Sequence, residues 1–320
     1  MNIYDIAKKS GVSIATVSRV LNNSDKVSPK TRERVKAVMK ESDYTPNAFA
    51  RGLGLGSMKM IGILCTDVSD LYYAKAVSLM EKELRERGFD TLLCCSGTDL
   101  SDKKKSLRLL MNKNVDAIVL IGSPFREMDD NSHIRDAAEK LPVFIINGDI
   151  AMDGVYCVLC DEYRAMYESV EYLVKDGAKN ILYLYDTESF SGKRKLSGFE
   201  NAVKECAVAS KSVKIKKDIV SAKEQTLYEC EKEKFDAIMT SEDVLAIGAL
   251  KAILEKNINL RVIGFNDSQL ALCSTPALTS VDNKLDELCP ITARHITDLL
   301  SGKDIPQKTV LPATLSERET

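Results

Sequence analysis

The sequence predicts an α/β protein in which a small all-helical unit precedes a larger core of parallel sheets. Residues 1–45 show helical periodicity and no strand pattern, whereas short β-rich runs alternate with amphipathic helices from Lys59 onward. Such alternation is typical of parallel sheets that carry helices on both faces. The ten strand-like runs exceed what one sheet ordinarily holds, so we expect two sheets of about five or six strands each.

The strand-like runs of the core are short and rich in β-branched and apolar residues. They are Ile61–Cys65, Thr91–Cys95, Ala117–Gly122, Val143–Asn147, Gly154–Cys160, Ile181–Tyr185, Val213–Val220, Ala237–Thr240, Arg261–Phe265 and Leu278–Val281. Helical patterns lie between most of them, for example Tyr73–Arg87, Glu162–Lys175 and Val244–Glu255. In open parallel sheets a ligand binds outside the carboxyl ends of the strands, so we expect a cleft there.

The N-terminal unit has the pattern of a helix-turn-helix followed by a third helix. Its apolar positions at helical spacing are Ile3, Ile6 and Ala7, then Val17, Val20 and Leu21, and then Val35, Val38 and Met39. Gly11 breaks the first helix, because glycine tolerates positive φ, and Ser13 can cap the second. Ser28 can cap a third helix that starts at Pro29. Two short helices around a tight glycine turn are typical of a DNA-reading unit.

The charge distribution also indicates a polyanionic partner for this unit. Residues 1–60 contain eleven Lys/Arg and five Asp/Glu, a balance of +6. Because the net charge of the whole chain is −2, the remaining residues carry a balance of −8. The face of the second helix opposite its core carries Ile14, Ala15, Ser18, Arg19 and Asn22. Ile14 can contact a thymine methyl group, and Arg19 can reach a guanine edge or a phosphate. The alternative is a helical bundle that packs on another partner with this face solvated.

A linker follows the helical unit. Thr45 can cap a helix of about nine residues, and Pro46 suits the first position of that helix. Gly52, Gly54 and Gly56 then follow within five residues. A helix this short is marginal alone in water, so we expect a hinge that connects the head to the core.

Nothing in the sequence predicts export or membrane insertion. Residues 1–9 contain no apolar run that could serve as a signal peptide, and no stretch approaches the roughly 18–20 apolar residues of a membrane span. We therefore expect a cytoplasmic protein with no membrane partner. A secreted solute-binding protein would need an export signal and would lack the helical head.

The sequence predicts no metal, no cofactor and no enzymatic activity. The nine cysteines are scattered and odd in number, which suits buried thiols better than disulfides. Cys157 and Cys160 form a lone CxxC in an extended segment, where residues three apart point to opposite faces. The only histidines are His133 and His295. No GxGxxG, Walker A or GxSxG motif occurs.

The motifs of the head resemble the DNA-binding head of the LacI/GalR family of repressors. The match runs through Ile3–Asn22 (IYDIAKKSGVSIATVSRVLN), Val27–Val35 and Tyr44–Arg51. A looser match continues through Ile61–Leu64, Gly198–Phe199, Ala246–Ala249, Val262–Phe265, Thr275–Thr279 and Leu311–Pro312. The resemblance implies a type I periplasmic-binding-protein-like core of two lobes, and a homodimer on a palindromic operator that a sugar or another metabolite controls.

The resemblance implies three parts of the chain. They are a head at 1–45, a hinge at 46–57 and a core at 58–320, with an N-lobe of about 58–156 plus 285–308 and a C-lobe of about 157–284 plus 309–320. The residues implied in DNA binding are Tyr4, Ser13, Ile14, Ala15, Thr16, Ser18, Arg19, Asn22, Ser28 and Thr31 in the head and Asn47, Ala50 and Leu53 in the hinge. The core shows no trailing heptad segment, so we expect a dimer and not a tetramer.

The effector site that the resemblance implies departs from the family pattern. The implied ligand contacts are Tyr72, Tyr73, Ser123, Asp161, Ser191, Lys195, Glu242 and Asn266. Lys195 replaces the usual arginine, Glu242 the usual asparagine and Asn266 the usual aspartate. These changes argue against an ordinary monosaccharide and favour an aminated or acidic sugar derivative. Lys195 and Glu242 could also be solvated surface charges, and the core could respond to a protein partner or a corepressor.

Overall fold

The computed structural model describes residues 2–21, 24–42 and 57–320. The head contains three helices, α1 (Ile3–Ser10), α2 (Ile14–Leu21) and α3 (Pro29–Glu41). Their buried apolar side chains form one small core, which consists of Ile6, Ala7, Val17, Val20, Val27 and Val35. Helical spacing along the sequence predicted five of these six residues, and the sixth, Val27, lies in the turn between α2 and α3.

The predicted caps of the head are confirmed. Gly11 ends α1 in the left-handed region at φ 63°, and the Ser13 hydroxyl accepts the Thr16 N–H at 3.2 Å. Ser28 caps α3 by accepting the Thr31 N–H at 3.3 Å, with Pro29 at the first position. Each cap satisfies a backbone donor at the start of a helix, which fixes where the chain turns.

The core alternates strands and helices along the chain. The strands are β1 (Met60–Cys65), β2 (Asp90–Cys95), β3 (Ala117–Ile121), β4 (Val143–Ile146), β5 (Val155–Cys160), β6 (Asn180–Tyr185), β7 (Ala209–Lys214), β8 (Ala237–Thr240), β9 (Arg261–Phe265), β10 (Thr279–Asp282), β11 (Lys308–Leu311) and β12 (Thr314–Ser316). The helices are α4 (Leu71–Glu86), α5 (Leu100–Asn112), α6 (Ser132–Ala138), α7 (Glu162–Lys175), α8 (Phe190–Glu205), α9 (Ile219–Lys232), α10 (Asp243–Glu255), α11 (Gln269–Cys273) and α12 (Leu285–Leu300), and a 3₁₀ turn spans Ser123–Phe125.

The strands form two six-stranded sheets, which confirms the prediction of two parallel sheets. The first sheet has the order β11-β5-β4-β3-β1-β2 and the second β12-β10-β9-β8-β6-β7. All strand pairs are parallel except the antiparallel pair β10 and β12. The chain passes between the sheets three times, after β5, after β10 and after β11. We call the halves built on the first and second sheets the N-lobe and the C-lobe.

Helices cover both faces of each sheet, as parallel sheets require. In the N-lobe, buried residues of α4 and α12 pack on one face, and those of α5 and α6 pack on the other. In the C-lobe, α7 and α8 cover one face, and α10 with α11 covers the other. Within the described ranges, no helix is long and apolar enough to cross a membrane.

The predicted strand Val213–Val220 is wrong. The strand β7 ends at Lys214, and α9 begins at Ile219 behind Asp218, whose carboxylate accepts the Ser221 N–H at 2.7 Å. Because β7 is an edge strand with mostly exposed side chains, it carries little apolar signal. The short strands β11 and β12 were missed for the same reason, since few of their side chains are buried.

The lobe boundaries inferred from the sequence also shift. All of β5 (Val155–Cys160) and β11 (Lys308–Leu311) belong to the first sheet. The predicted crossing points at 157 and 309 therefore fall inside these two strands, and the chain leaves the N-lobe only after Cys160 and Leu311. Sequence periodicity cannot locate a crossing, because a buried strand looks the same whichever sheet it joins.

The close packing of α7 on α8 gives a stability prediction. A Cβ atom at Gly198 would lie 2.3 Å from the carbonyl oxygen of Tyr163, so Gly198→Ala should lower the free energy of unfolding by about 1–3 kcal/mol through overpacking. Urea denaturation measures it. Glu200→Ala, at an exposed position of the same helix, should change it by less than about 0.5 kcal/mol. Equal stability of the two variants would contradict the argument.

Candidate functional site

The second helix of the head presents a polar face opposite its buried side. Val17 and Val20 of α2 face the core of the head, so Ile14, Ala15 and Arg19 are exposed. The other predicted DNA contacts in the described part of the head are Tyr4, Ser13 and Ser28, which are exposed, and Thr16, Ser18 and Thr31, which are half-buried. The exposed side of α2 therefore carries one cation and two apolar side chains, with hydroxyl groups on and around the helix.

Four predicted DNA contacts lie outside the described residues. They are Asn22, Asn47, Ala50 and Leu53. Ser57, Met58 and Met60, where the linker joins the core, are held by hydrogen bonds to one carboxylate. The Asp116 carboxylate accepts the N–H groups of Met58 and Met60, each at 3.0 Å, and the Ser57 hydroxyl at 3.1 Å. This carboxylate fixes the position at which the hinge enters the core.

A cavity of about 250 Å³ lies in the cleft between the lobes, and below we call it the inner cavity. Seven of the eight effector contacts expected from the sequence line it, namely Tyr72, Tyr73, Ser123, Ser191, Lys195, Glu242 and Asn266. Several of its polar residues directly follow a strand, including Asn147 after β4, Asp186 after β6 and Asn266 after β9. The cavity thus occupies the carboxyl edges of both sheets, where the sequence predicted a cleft.

Two tyrosines in the first turn of α4 form the N-lobe wall. The Asp70 side chain caps this helix, and the Tyr72 and Tyr73 rings meet edge to face with centroids 5.2 Å apart. The Tyr72 hydroxyl accepts a hydrogen bond from Asn147 at 3.0 Å, and burial raises the pKa of both phenols. Gly122 makes room for them, because a Cβ atom there would lie 2.8 Å from the Tyr73 ring.

A buried lysine dominates the C-lobe wall. The Lys195 ammonium donates to the Ser241 carbonyl at 2.9 Å and lies 3.8 Å from both the Phe265 ring centroid and a Glu242 carboxylate oxygen. It is therefore a buried cation and not a solvated surface charge. In the same cavity, the Glu162 carboxylate accepts a hydrogen bond from the Ser191 hydroxyl at 2.5 Å. Burial raises the pKa of Glu162, although the nearby Lys195 acts in the opposite direction.

A second lysine joins the two lobes. The Lys217 ammonium lies 2.8 Å from Asp70 of the N-lobe and 3.3 Å from Glu242 of the C-lobe. Burial raises the pKa of Glu242, and Lys217 and Lys195 partly oppose this. Burial would lower the pKa of Lys217, but Glu242 and Asp70 outweigh it and raise that pKa. Asn266 donates to Glu242 as well, which completes a network at the centre of the cleft.

The predicted contact Asp161 lies outside the residues that line the inner cavity. Its carboxylate pairs with Arg194 at 2.6 Å and caps α7 through the Arg164 N–H at 3.2 Å. Because Asp161 is the last residue before α7 begins, its side chain turns back to the helix, and the next residue, Glu162, faces the cavity. Asp161 therefore does not line the inner cavity, whereas Glu162 does, and the role of Asp161 as an effector contact stays a prediction.

The sequence interpretation missed several polar residues of the inner cavity. They are Asp70, Asn147, Glu162, Asp186 and Lys217. Asn147 and Asp186 could have been found, because each follows a buried strand at the edge where ligands bind. Lys217 was hidden by the incorrect strand Val213–Val220, which placed it inside a sheet.

Comparisons with known proteins agree over the whole chain. The description "Bacterial regulatory proteins, lacI family" matches residues 2–47, and "Periplasmic binding proteins and sugar binding domain of LacI family" matches residues 58–307. An HTH-type transcriptional regulator of Lachnoclostridium phytofermentans is 44% identical over 330 residues, covering 100% of this chain and 99% of that protein. The HTH-type transcriptional regulator DegA of Bacillus subtilis is 32% identical, covering 99% of this chain and 97% of that protein.

Solved structures share the fold. The Lac repressor dimer bound to operator and the anti-inducer ONPF has a TM-score of 0.88 at 22% identity, covering 99% of this chain and 98% of that chain. The transcriptional regulator CelR in complex with cellobiose has a TM-score of 0.72 at 23% identity, covering 100% and 99%. At these sequence identities the comparison shows a shared fold, a helical head followed by a two-lobed core, and nothing more.

The bridge formed by Lys217 gives a prediction for stability. Lys217→Met leaves Asp70 and Glu242 without their shared cation, so the free energy of unfolding at neutral pH should fall by about 1–3 kcal/mol. The loss should shrink as the pH falls, because the pKa of Glu242 rises further without Lys217 and a protonated carboxyl group needs no cation. Urea denaturation between neutral and acidic pH measures both effects.

Lys216→Met is the matched control for this variant. The Lys216 side chain is 84% exposed and lies 3.3 Å from Asp218, so its removal should change stability by less than about 0.5 kcal/mol at any pH. If both lysine variants lose the same stability with the same pH dependence, the bridge between the lobes contributes no more to the free energy of unfolding than an exposed ion pair does.

Proposed function

The chain belongs to the LacI family of bacterial regulatory proteins and is a DNA-binding transcription regulator, and we propose that it is a repressor. In this proposal a homodimer binds a palindromic operator, and a small polar metabolite in the cleft controls the affinity for DNA. The exposed face of α2 is the observation that carries it, because this face combines Arg19, Ile14 and hydroxyl groups on a basic head.

We assign each part of the head a role in DNA binding. Ile14 and Arg19 read base edges in the major groove, Ile14 at a thymine methyl group and Arg19 at a guanine. The polar residues around them, Tyr4, Ser13, Thr16, Ser18, Asn22, Ser28 and Thr31, position the head on phosphates, and Ala15 leaves room for close entry. In the hinge, Leu53 wedges between base steps of the minor groove, flanked by Ala50 and Asn47.

The effector role rests on the chemistry of the inner cavity. Tyr72 and Tyr73 offer aromatic surface to a ring, while Lys195, Glu242 and Glu162 offer charged hydrogen-bonding groups. Ser123, Ser191 and Asn266 complete the proposed contacts. A concave site of about 250 Å³ between the lobes favours a small molecule over a protein partner. The effector is a sugar or a sugar derivative with an amino or acidic group.

The cleft also supplies a route from ligand to DNA. A ligand that reaches Glu242 competes with Lys217, whose bond to Asp70 joins the lobes. In this proposal ligand binds two arrangements of the lobes with different affinity, which is the condition for shifting their populations. The N-lobe carries this change to the hinge through the Asp116 anchor at Met58 and Met60.

Selection of bound sequences from random duplex DNA tests the function. The purified protein should enrich one motif with two-fold symmetry, because two identical heads read two half-sites. Enrichment of a single half-site, or of no sequence at all, would overturn the proposal of a palindromic operator.

Arg19→Ala gives a sharper prediction on the selected operator. Loss of a bidentate contact to guanine should reduce affinity by about 1–3 kcal/mol and relax the preference at one base position in each half-site. Electrophoretic mobility shift on the operator and on its single-base variants measures both effects. A uniform loss across all sequences would show that Arg19 contacts phosphate and reads no base.

The homodimer gives a separate prediction. A symmetric operator needs two heads related by a two-fold axis, so multi-angle light scattering at micromolar concentration should give twice the mass of 35.4 kDa. A monomeric mass, or a stable tetramer, would contradict the proposed assembly.

A further inference from the structure

A second cavity adjoins the inner cavity at the mouth of the cleft. Its volume is about 660 Å³, and it also lies between the lobes. We call it the outer cavity. The two cavities share Thr98, Pro124, Thr187 and Ser189. A ligand ring held at Tyr72 and Tyr73 can therefore continue outward past these four residues.

An aromatic ring forms the floor of the outer cavity. Phe190 begins α8 directly after Ser189, so it stands at the junction of the two cavities. The Arg126 guanidinium of the N-lobe stacks over the Phe190 ring at 4.6 Å from the centroid. Arg194 approaches the same ring from the C-lobe side at 5.9 Å. Aromatic surface beside arginine is suited to a ring that carries acceptor groups.

The outer cavity has an excess of available cations. Its carboxylates have their own partners, because Glu127 pairs with Lys103 at 2.7 Å and Glu188 with Lys214 at 2.9 Å. Across residues 2–21, 24–42 and 57–320, the structure shows no ion pair for Arg126 or for Lys193. Arg126 donates to the Asp149 backbone oxygen at 2.6 Å, and the Lys193 ammonium lies 3.5 Å from the Met128 sulfur.

The inner cavity has the opposite balance. Its lining contains the carboxylates of Asp67, Asp70, Glu162, Asp186 and Glu242. Only two ammonium groups, those of Lys195 and Lys217, stand against them in the described lining. An anionic group there would meet uncompensated negative charge, whereas hydroxyl or ammonium donors would find acceptors.

We propose that the effector is a saccharide of at least two rings whose outer ring carries a carboxylate. The inner ring, rich in hydroxyl or amino groups, lies against Tyr72 and Tyr73. The outer ring contacts Phe190, and its carboxylate pairs with Arg126 and Lys193. The inference rests on the proposed effector role of the cleft and names the class of ligand.

Equilibrium dialysis tests this class directly. The full-length protein is dialysed against digests of pectin, glucuronoxylan, cellulose and starch together with their constituent monosaccharides, and mass spectrometry identifies the compounds that concentrate on the protein side. The expected compound has two or more rings and contains a uronic acid. Retention of single rings or neutral saccharides alone, or of nothing, overturns the proposal.

Variants of the outer cavity locate the retained compound by calorimetry. Phe190→Ala and Arg126→Gln should each weaken its binding by about tenfold or more. The methyl ester of the compound should bind wild type and Arg126→Gln with equal affinity, because it has no carboxylate. Tyr228→Ala removes a ring that is 51% exposed and lies outside both cavities, and it should change binding by less than about twofold. Unchanged affinity in both outer-cavity variants overturns the subsite.

Mobility shift with the selected operator separates this proposal from the proposed function. A retained compound that leaves DNA affinity unchanged supports the subsite and removes its role in regulation. Failure to retain any compound, while the operator still binds, overturns the subsite and leaves the DNA-binding function in place.

Discussion

The ion pairs of Lys217 with Asp70 and Glu242 join the two lobes at the point where a ligand would enter. Charges that leave water must be paired, or their desolvation destabilises the protein. The chain supplies this pairing from its own residues, one on the N-lobe and two on the C-lobe. In the proposed function, a ligand that takes over one of these partners alters the charges that Lys217 balances between the lobes.

This group of charges exists because two parallel sheets present their carboxyl edges to the same cleft. A residue that follows a buried strand leaves the sheet at this edge, and a polar residue there keeps access to water or ligand. Asn147, Asp186 and Asn266 occupy such positions after strands of different sheets. Three passages of the chain between the sheets keep the edges opposed. The fold thus brings polar side chains together while its apolar residues stay in four separate clusters around the sheets.

The two cavities of the cleft differ in charge although they are continuous. The inner one combines carboxylates with Lys195, which is buried, and Lys217, and the outer one combines aromatic rings with arginines and a lysine. Ser189 stands at their boundary, where it caps α8 and meets the Ser123 hydroxyl of the N-lobe at 3.0 Å. The same helix start therefore positions Phe190 outward and Ser191 and Lys195 inward. The first turns of α8 thus contribute side chains to both cavities.

The sequence by itself determined the features that depend on neighbouring residues. Caps at Ser13 and Ser28, the turn at Gly11 and the apolar spacing of three helices gave the head, and alternating strands and helices gave two parallel sheets. Seven of eight expected cleft residues line the cavity, because family motifs follow the strands that carry them. Only the tertiary structure showed that Glu162 lines the inner cavity and Asp161 does not, which depends on how the chain turns into α7. It also decided the place of Lys217, whose partner Asp70 lies on the other lobe, since contacts between segments far apart in sequence leave no local pattern.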